Sequence, residues 1–143
     1  MASNPTELLQ EYCQKLQKAL RYLAYSYNKA LQLPMHFAEL TEETLEVWES
    51  FAARFSRAAD LFISKYIRIV VELKEPGFRG TTIDYLNQAE KIGLIDSAEG
   101  WVELRKLRNV TVHEYSDQAF DEYAKRLLAL TPRLLELRKV LNP

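Results

Sequence analysis

The amino-acid sequence predicts an all-α protein, and three observations carry that prediction. Apolar residues recur at alternating steps of three and four along three long stretches, which places them on one stripe of a helix. No stretch alternates polar and apolar residues with the period of a strand. Only four of the 143 residues are glycine, so few sharp turns are expected. Together these features predict an up-and-down antiparallel bundle of about five helices, forming a single domain over residues 1–143.

The three apolar stripes define the first, second and last long helices. Their members are Leu9, Cys13, Leu16, Leu20, Leu23, Tyr27 and Ala30; then Leu45, Trp48, Ala52, Phe55, Ala59, Phe62, Tyr66, Ile69 and Leu73; then Phe120, Tyr123, Leu127, Leu130, Leu134, Leu137 and Leu141. Such stripes must be buried against other helices. Cys13, the single cysteine, is therefore predicted to be a buried structural thiol that forms no internal disulfide.

Capping and turn residues place the ends of the helices. Helix starts are predicted at Thr41, at Thr81 or Thr82, at the capping-box run 96–99, and at Ser116 or Asp117. Helix ends are predicted near Pro34, within residues 75–77 and at Gly93. Pro132 lies inside the last stripe, where a proline interrupts the hydrogen bonding of a helix. A kink there, or a new helix capped by Thr131, is expected.

Charge and composition narrow the possible functions. The formal net charge is −1 and the isoelectric point is about 6.2, without the basic excess typical of proteins that hold long nucleic acids. A local basic site would suffice for an enzyme that cuts one exposed loop, and Arg105, Lys106 and Arg108 could supply it. The lone cysteine and the absence of any long apolar run favour a cytoplasmic protein with no membrane association.

Metal and cofactor sites are not predicted. The chain has two histidines and one cysteine, without metal-ligand spacing. It also lacks the glycine-rich motifs that hold phosphates or dinucleotides. His36 has no second ligand nearby in the sequence, so we expect it to have a surface or packing role.

The run RNVTVHEY holds the strongest functional signal. Arg108 continues the apolar stripe of Trp101 and Leu104, where a charged group is costly unless it is paired or faces a cleft. His113 follows five residues later, and Tyr115 two residues after that. On an ideal helix, five residues separate two side chains by about 140°. Arg108 and His113 therefore meet only if the helix changes near Val112 or if a second copy of the chain supplies one of them.

This residue set suits chemistry on a phosphodiester. Histidine exchanges protons near neutral pH, and arginine binds phosphate and stabilises charge in the transition state. Tyrosine offers a hydroxyl, while RNA supplies its own nucleophile, the 2′-hydroxyl, so no metal is required. The motif is short, however, and the alternative interpretation is a polar helix end that packs at a seam of the bundle.

The motif and its surroundings resemble the HEPN superfamily of small helical ribonucleases, and within it the HepT-like toxins and the nucleotidyltransferase substrate-binding proteins. Arg108, Asn109, His113 and Tyr115 carry the resemblance. The preceding run AEKIGLIDSAEGWVELRKLRN is similar to the segment that leads into the motif in the substrate-binding relatives. A weaker similarity to the family is the position of Phe55 before the pair Asp60-Leu61. The resemblance covers about residues 45–130.

The resemblance implies a metal-independent endoribonuclease whose two motifs face each other across the cleft of a homodimer, with RNA such as tRNA or mRNA as the substrate. His113 would be the general acid and base, and Arg108 the ligand of the phosphate and the transition state. Asn109 would orient this pair or contact the substrate. Asp60 would order Arg108 or His113 if it faces the same cleft.

The same resemblance implies a protein partner. In HepT systems a small antitoxin with a nucleotidyltransferase fold attaches AMP to the tyrosine of the motif, here Tyr115, and thereby silences the ribonuclease. The predicted function is thus the toxin of a two-gene toxin–antitoxin system. One alternative is a non-catalytic substrate-binding subunit of a minimal nucleotidyltransferase. Another is a helical adaptor, although an adaptor has no need of Arg108 on an apolar stripe.

Overall fold

The computed structural model describes residues 4–108 and 117–141, apart from the side chains at positions 37, 117 and 118. In these ranges every regular element is helical, so the all-α prediction is confirmed. The elements are α1 (Pro5–Ala30), a 3₁₀ turn (Phe37–Glu39), α2 (Glu42–Asp60), a π-helical run (Leu61–Tyr66), α3 (Ile67–Lys74), α4 (Thr82–Lys91), α5 (Ala98–Arg108), α6 (Asp117–Leu135) and α7 (Leu137–Leu141). The π-helical run joins α2 to α3, and α7 follows α6 after one residue. The described part therefore contains five helical units, as predicted.

Polar side chains cap the helices where the sequence predicts. Thr41 and Thr44 form a reciprocal capping box at the start of α2, and Thr81 and Asp84 form another at the start of α4. Each box satisfies backbone N–H groups that have no partner within the first turn. α1 ends before Pro34, and α3 ends at Lys74, before the predicted turn.

Neighbouring helices run antiparallel. Trp48 Nε1 donates to the carbonyl of Pro34 at 3.2 Å, and Arg54 Nη1 donates to the carbonyl of Tyr22 at 3.1 Å. Residue numbers thus rise along α2 as they fall along α1. The antiparallel arrangement gives the long apolar stripes of both helices a common interface.

The core is one continuous cluster of buried apolar side chains to which every α-helix contributes. Its largest fully buried members include Trp48, Phe51, Phe55, Phe62 and Phe120. The stripes predicted for the first and last helices face this cluster. Cys13 differs slightly from its prediction, because its side chain is partly buried against the core rather than enclosed by it.

The second stripe is shifted in its C-terminal half. Ile67 and Val71 are fully buried, whereas Leu73, which the stripe placed in the core, is 39% exposed. The cause is the π-helical run Leu61–Tyr66. A π turn takes one more residue than an α turn, so it moves the buried face of the following helix by one position. The prediction for Leu73 is therefore wrong.

Pro132 does not restart the last helix at Thr131. α6 continues through Pro132 to Leu135, and a new helix begins only at Leu137. The buried hydroxyl of Thr131 donates to the carbonyl of Leu127 at 2.6 Å instead of capping a new helix. This bond within the helix satisfies the hydroxyl where it lies, so the expected cap at Thr131 is wrong.

No helix in the described ranges is both long and apolar enough to cross a membrane.

Candidate functional site

Arg108 is the last residue of α5, and its side chain reaches across to α2. Its Nη1 atom donates to Asp60 Oδ1 in a charge-assisted hydrogen bond. The Arg108 side chain is only 23% exposed, and that of Asp60 is 46% exposed. A carboxylate thus holds the guanidinium at the edge of the core, which removes the cost of placing a lone cation there. Of the two contacts considered for Asp60 in the sequence, this one is present.

Two serines of the helix that runs from α2 into the π-helical run complete this polar contact. Ser56 Oγ donates to the main-chain carbonyl of Arg108 at 3.2 Å, and Ser64 Oγ donates to Asp60 Oδ1 at 3.1 Å. The first bond gives the carbonyl at the end of α5 a side-chain donor from α2. The second fixes the carboxylate that orients the guanidinium. We refer to Ser56, Asp60, Ser64 and Arg108 as the seam cluster.

The serines were not predicted from the sequence, although a signal for them exists. Ser56, Asp60 and Ser64 are spaced by four residues, which places short polar side chains on one stripe of the helix. This polar stripe lies beside the apolar stripe that dominates the same segment. An arginine at the end of a neighbouring helix is a suitable partner for it.

The π-helical run begins directly after Asp60. Within it, the ring of Phe62 packs on that of Trp101 from α5, with 4.6 Å between ring centroids. The seam between α2 and α5 therefore combines the polar contact of Asp60 with an aromatic contact that begins two residues after it. π turns within α-helices occur frequently at functional sites.

Positive charge near Arg108 is largely balanced by acidic residues. Lys106 lies 3.5 Å from Glu103, and Glu103 also accepts from Arg126 at 3.3 Å. Arg105 is partly buried on α5 and has no carboxylate within ion-pair distance among the described residues. Of the basic trio predicted from the sequence, Arg105 is thus the member whose charge is least compensated in that part of the chain.

Asn109, His113 and Tyr115 lie outside the described residues, as does Ser116. Their contacts with Arg108 and Asp60 stay predictions. The sequence connects them directly to the seam cluster, since Asn109 follows Arg108.

The second histidine is at the surface. His36 Nδ1 lies 3.0 Å from Asp121 Oδ2, and this hydrogen bond, with the charge of Asp121, raises the pKa of His36 above its ordinary value. Within the described ranges, no three or more His, Cys, Asp and Glu side chains cluster as the ligands of a metal ion would.

Comparison with known proteins gives no significant match to a family model, to a curated protein or to a solved structure. The motif and the geometry of the seam cluster are therefore the features that point to a function.

Proposed function

We propose that this chain is a metal-independent endoribonuclease of the HEPN type, acting as the toxin of a two-gene toxin–antitoxin system. The observation that carries the proposal is the contact of Arg108 with Asp60. It places an oriented, mostly buried guanidinium at the end of α5, directly before Asn109, His113 and Tyr115.

The chemistry proceeds without a metal. His113 accepts the proton of a ribose 2′-hydroxyl, whose oxygen attacks the adjacent phosphorus. The bond from phosphorus to the 5′-oxygen breaks, and that oxygen takes up the proton from the protonated His113, leaving a 2′,3′-cyclic phosphate. Arg108 stabilises the negative charge that builds on the phosphoryl oxygens. Asn109 contacts the substrate or orients the pair.

Asp60 has a positioning role in this proposal. A guanidinium carries five N–H donors in a rigid plane, so an orienting carboxylate and a phosphate can share it. The charge-assisted bond to Asp60 limits the rotamers of Arg108 before RNA arrives, and less ordering is then required in the transition state. Ser64 in turn fixes Asp60.

The proposal includes partners. A homodimer would bring two motifs together across one cleft and would overcome the angular separation of Arg108 and His113. A small antitoxin with a nucleotidyltransferase fold would attach AMP to Tyr115 and block the RNA site with bulk and negative charge. Arg105 would add attraction for the RNA backbone.

The test is induction of the chain alone in bacteria, comparing wild type with Arg108→Ala and His113→Ala at matched soluble levels. Arg126→Ala is the control, because it removes an arginine from a carboxylate pair on the exposed face of α6. We expect growth arrest and cut RNA ends with wild type and with Arg126→Ala, and neither with the other two variants.

Equal growth of all strains, with folded soluble protein, would contradict the ribonuclease proposal. The motif would then be better explained as the docking or modification surface of a non-catalytic substrate-binding subunit.

A further inference from the structure

The solvent-exposed face of α1 is basic, although the chain as a whole has a net charge close to zero. Residues 12–38 include four lysines and arginines and no acidic residue, although the whole chain has a net charge of −1. Lys18, Arg21 and Lys29 are exposed. None of these three lies within ion-pair distance of a carboxylate in the described part of the chain. Their charge is therefore directed to the solvent.

Exposed tyrosines lie among these cations. Tyr22 is 38% exposed and Tyr25 is 64% exposed. The ring centroid of Tyr22 lies 5.9 Å from Lys18 Nζ and 5.5 Å from the guanidinium carbons of both Arg21 and Arg54. Such contacts hold the ring in place while a large part of it faces the solvent.

A groove of about 490 Å³ extends this surface towards α7. Its lining in the described part of the chain consists of Gln14, Gln17, Lys18, Arg21, Ala24 and Arg138, none of which is acidic. The groove between α1 and α2 is lined by Tyr25 and Lys29 together with Glu43 and Glu46. A polyanion is thus attracted most strongly along Lys18 and the α7 side, and the two glutamates limit how far it extends towards α2.

We propose that this face of α1 binds single-stranded nucleic acid. Cations at this spacing neutralise phosphates, and exposed tyrosines stack on bases that are not paired in a duplex. From Lys18 to Lys29 the helix rises about 16 Å, which is long enough to contact several consecutive nucleotides of one strand. An acidic protein or an anionic membrane would use the cations, but it would gain little from the flat faces of Tyr22 and Tyr25.

This surface is distinct from the seam cluster. Arg54, which borders the tyrosines, and Asp60 lie six residues apart on α2, about 120° around an ideal helix. The inference rests on the proposed function only for identifying RNA as the strand that is cut. Binding itself does not require the motif.

The test is fluorescence anisotropy with a short labelled RNA and a DNA of the same sequence. It uses the full chain with His113→Ala so that the RNA stays intact. Lys18→Glu/Lys29→Glu is compared with Lys74→Glu/Lys91→Glu, which makes the same charge change at two exposed lysines elsewhere. We expect about a tenfold loss of affinity for the first pair and less than about twofold for the second. The dependence of log K on log salt should become shallower by about 1.4 for the first pair.

A second variant separates stacking from charge. Tyr25→Leu keeps apolar bulk at an exposed position, and we expect it to weaken binding about fivefold because base stacking is lost. Equal effects of the two lysine pairs, or no effect of Tyr25→Leu, would overturn the proposal. So would preferential binding to phosphatidylserine vesicles or equal competition by poly-glutamate.

Failure of this inference is distinguishable from failure of the proposed function. Arg108→Ala should lower RNA cleavage about a hundredfold to a thousandfold and leave binding to the α1 face intact. If Arg108→Ala alone removed both cleavage and RNA binding, RNA binding would be assigned to the seam cluster. This result would contradict the proposal for the α1 face.

Discussion

The two sides of α2 are built differently. On the side facing α1, Phe51 is fully buried, with ring centroids 6.1 Å from Tyr27 and 5.8 Å from Trp48. On the side facing α5, Asp60 accepts hydrogen bonds from Ser64 and Arg108 at a partly exposed seam. One helix thus combines an interface centred on buried aromatic rings with one that contains a partly exposed ion pair.

The difference indicates which side contributes more to the stability of the fold, and it separates that side from the proposed functional site. Burial of a large aromatic side chain contributes several kcal/mol, whereas a partly exposed ion pair adds about 1 kcal/mol or less. The small contribution to stability therefore does not explain why the seam cluster is present. Positioning of the Arg108 guanidinium explains it better.

The largest expected effect is on the aromatic side. Phe51→Ala should lower the free energy of unfolding by about 3–5 kcal/mol, because it leaves a cavity between α1 and α2. Asp60→Ala should lower it by about 1 kcal/mol or less. Denaturant unfolding followed by circular dichroism measures both. Equal losses would make the seam cluster a structural element and would remove the contrast between the two sides.

The next effect tests the shift in register after the π-helical run. Ile67→Ala should lower the free energy of unfolding by about 2–5 kcal/mol because Ile67 is fully buried. Leu73→Ala, at a position that is 39% exposed, should cost about 1 kcal/mol or less. The same unfolding experiment applies. A larger loss for Leu73→Ala would restore the uninterrupted α-helical stripe and contradict the π-helical run.

A smaller effect concerns the polar side alone. Asp60→Asn keeps the shape of the side chain but removes the charge that orients Arg108, so RNA cleavage should fall about tenfold to a hundredfold. Asp96→Asn is the matched control, since Asp96 lies 3.1 Å from Arg133 on the exposed surface. The readout is kcat/KM on a labelled RNA. An equal loss in both variants would show that orientation of Arg108 is not the cause.

The smallest effect is the titration of His36, which lies at the surface beside Asp121. Its pKa is raised by the hydrogen bond and charge of Asp121. The contact of protonated His36 with Asp121 therefore stabilises the folded state fully below the unfolded pKa of His36, which is about 6.5. This contribution is lost as the pH rises through the folded pKa of His36. NMR titration should give a folded pKa above the ordinary value for wild type and a lower one for Asp121→Asn. An unchanged pKa in that variant would rule out Asp121 as the cause.

Periodicity predicts most of the fold but not the π-helical run. Steps of three and four fit the stripe ending in Ile69 and Leu73 as well as one ending in Ile67 and Val71. In the structure Ile67, Ile69 and Val71 are buried, and Leu73 is exposed. No glycine or proline in Leu61–Tyr66 marks the change. The choice between the two registers depends on packing against neighbouring helices, such as Phe62 on Trp101. Local sequence does not contain that information.

The site and the α1 surface could be predicted only in part. Arg108 stood out because a cation on an apolar stripe needs a partner, and Asp60 was one candidate. The two serines of the seam cluster are indicated only by their spacing from Asp60, and short polar side chains of this kind are common in helices. The basic face of α1 cannot be recognised from the net charge, because acidic residues elsewhere in the chain offset its lysines and arginines.

The most direct test of the seam cluster as a ribonuclease site is a double-mutant cycle on RNA cleavage, with kcat/KM measured for wild type, Asp60→Ala, Arg108→Ala and the double variant. If Asp60 acts through Arg108, Arg108→Ala should cost about a hundredfold to a thousandfold, and the double variant should be no worse than Arg108→Ala alone. Multiplicative losses would show that Asp60 acts independently of Arg108. Cleavage that is unchanged by Arg108→Ala would contradict the site altogether.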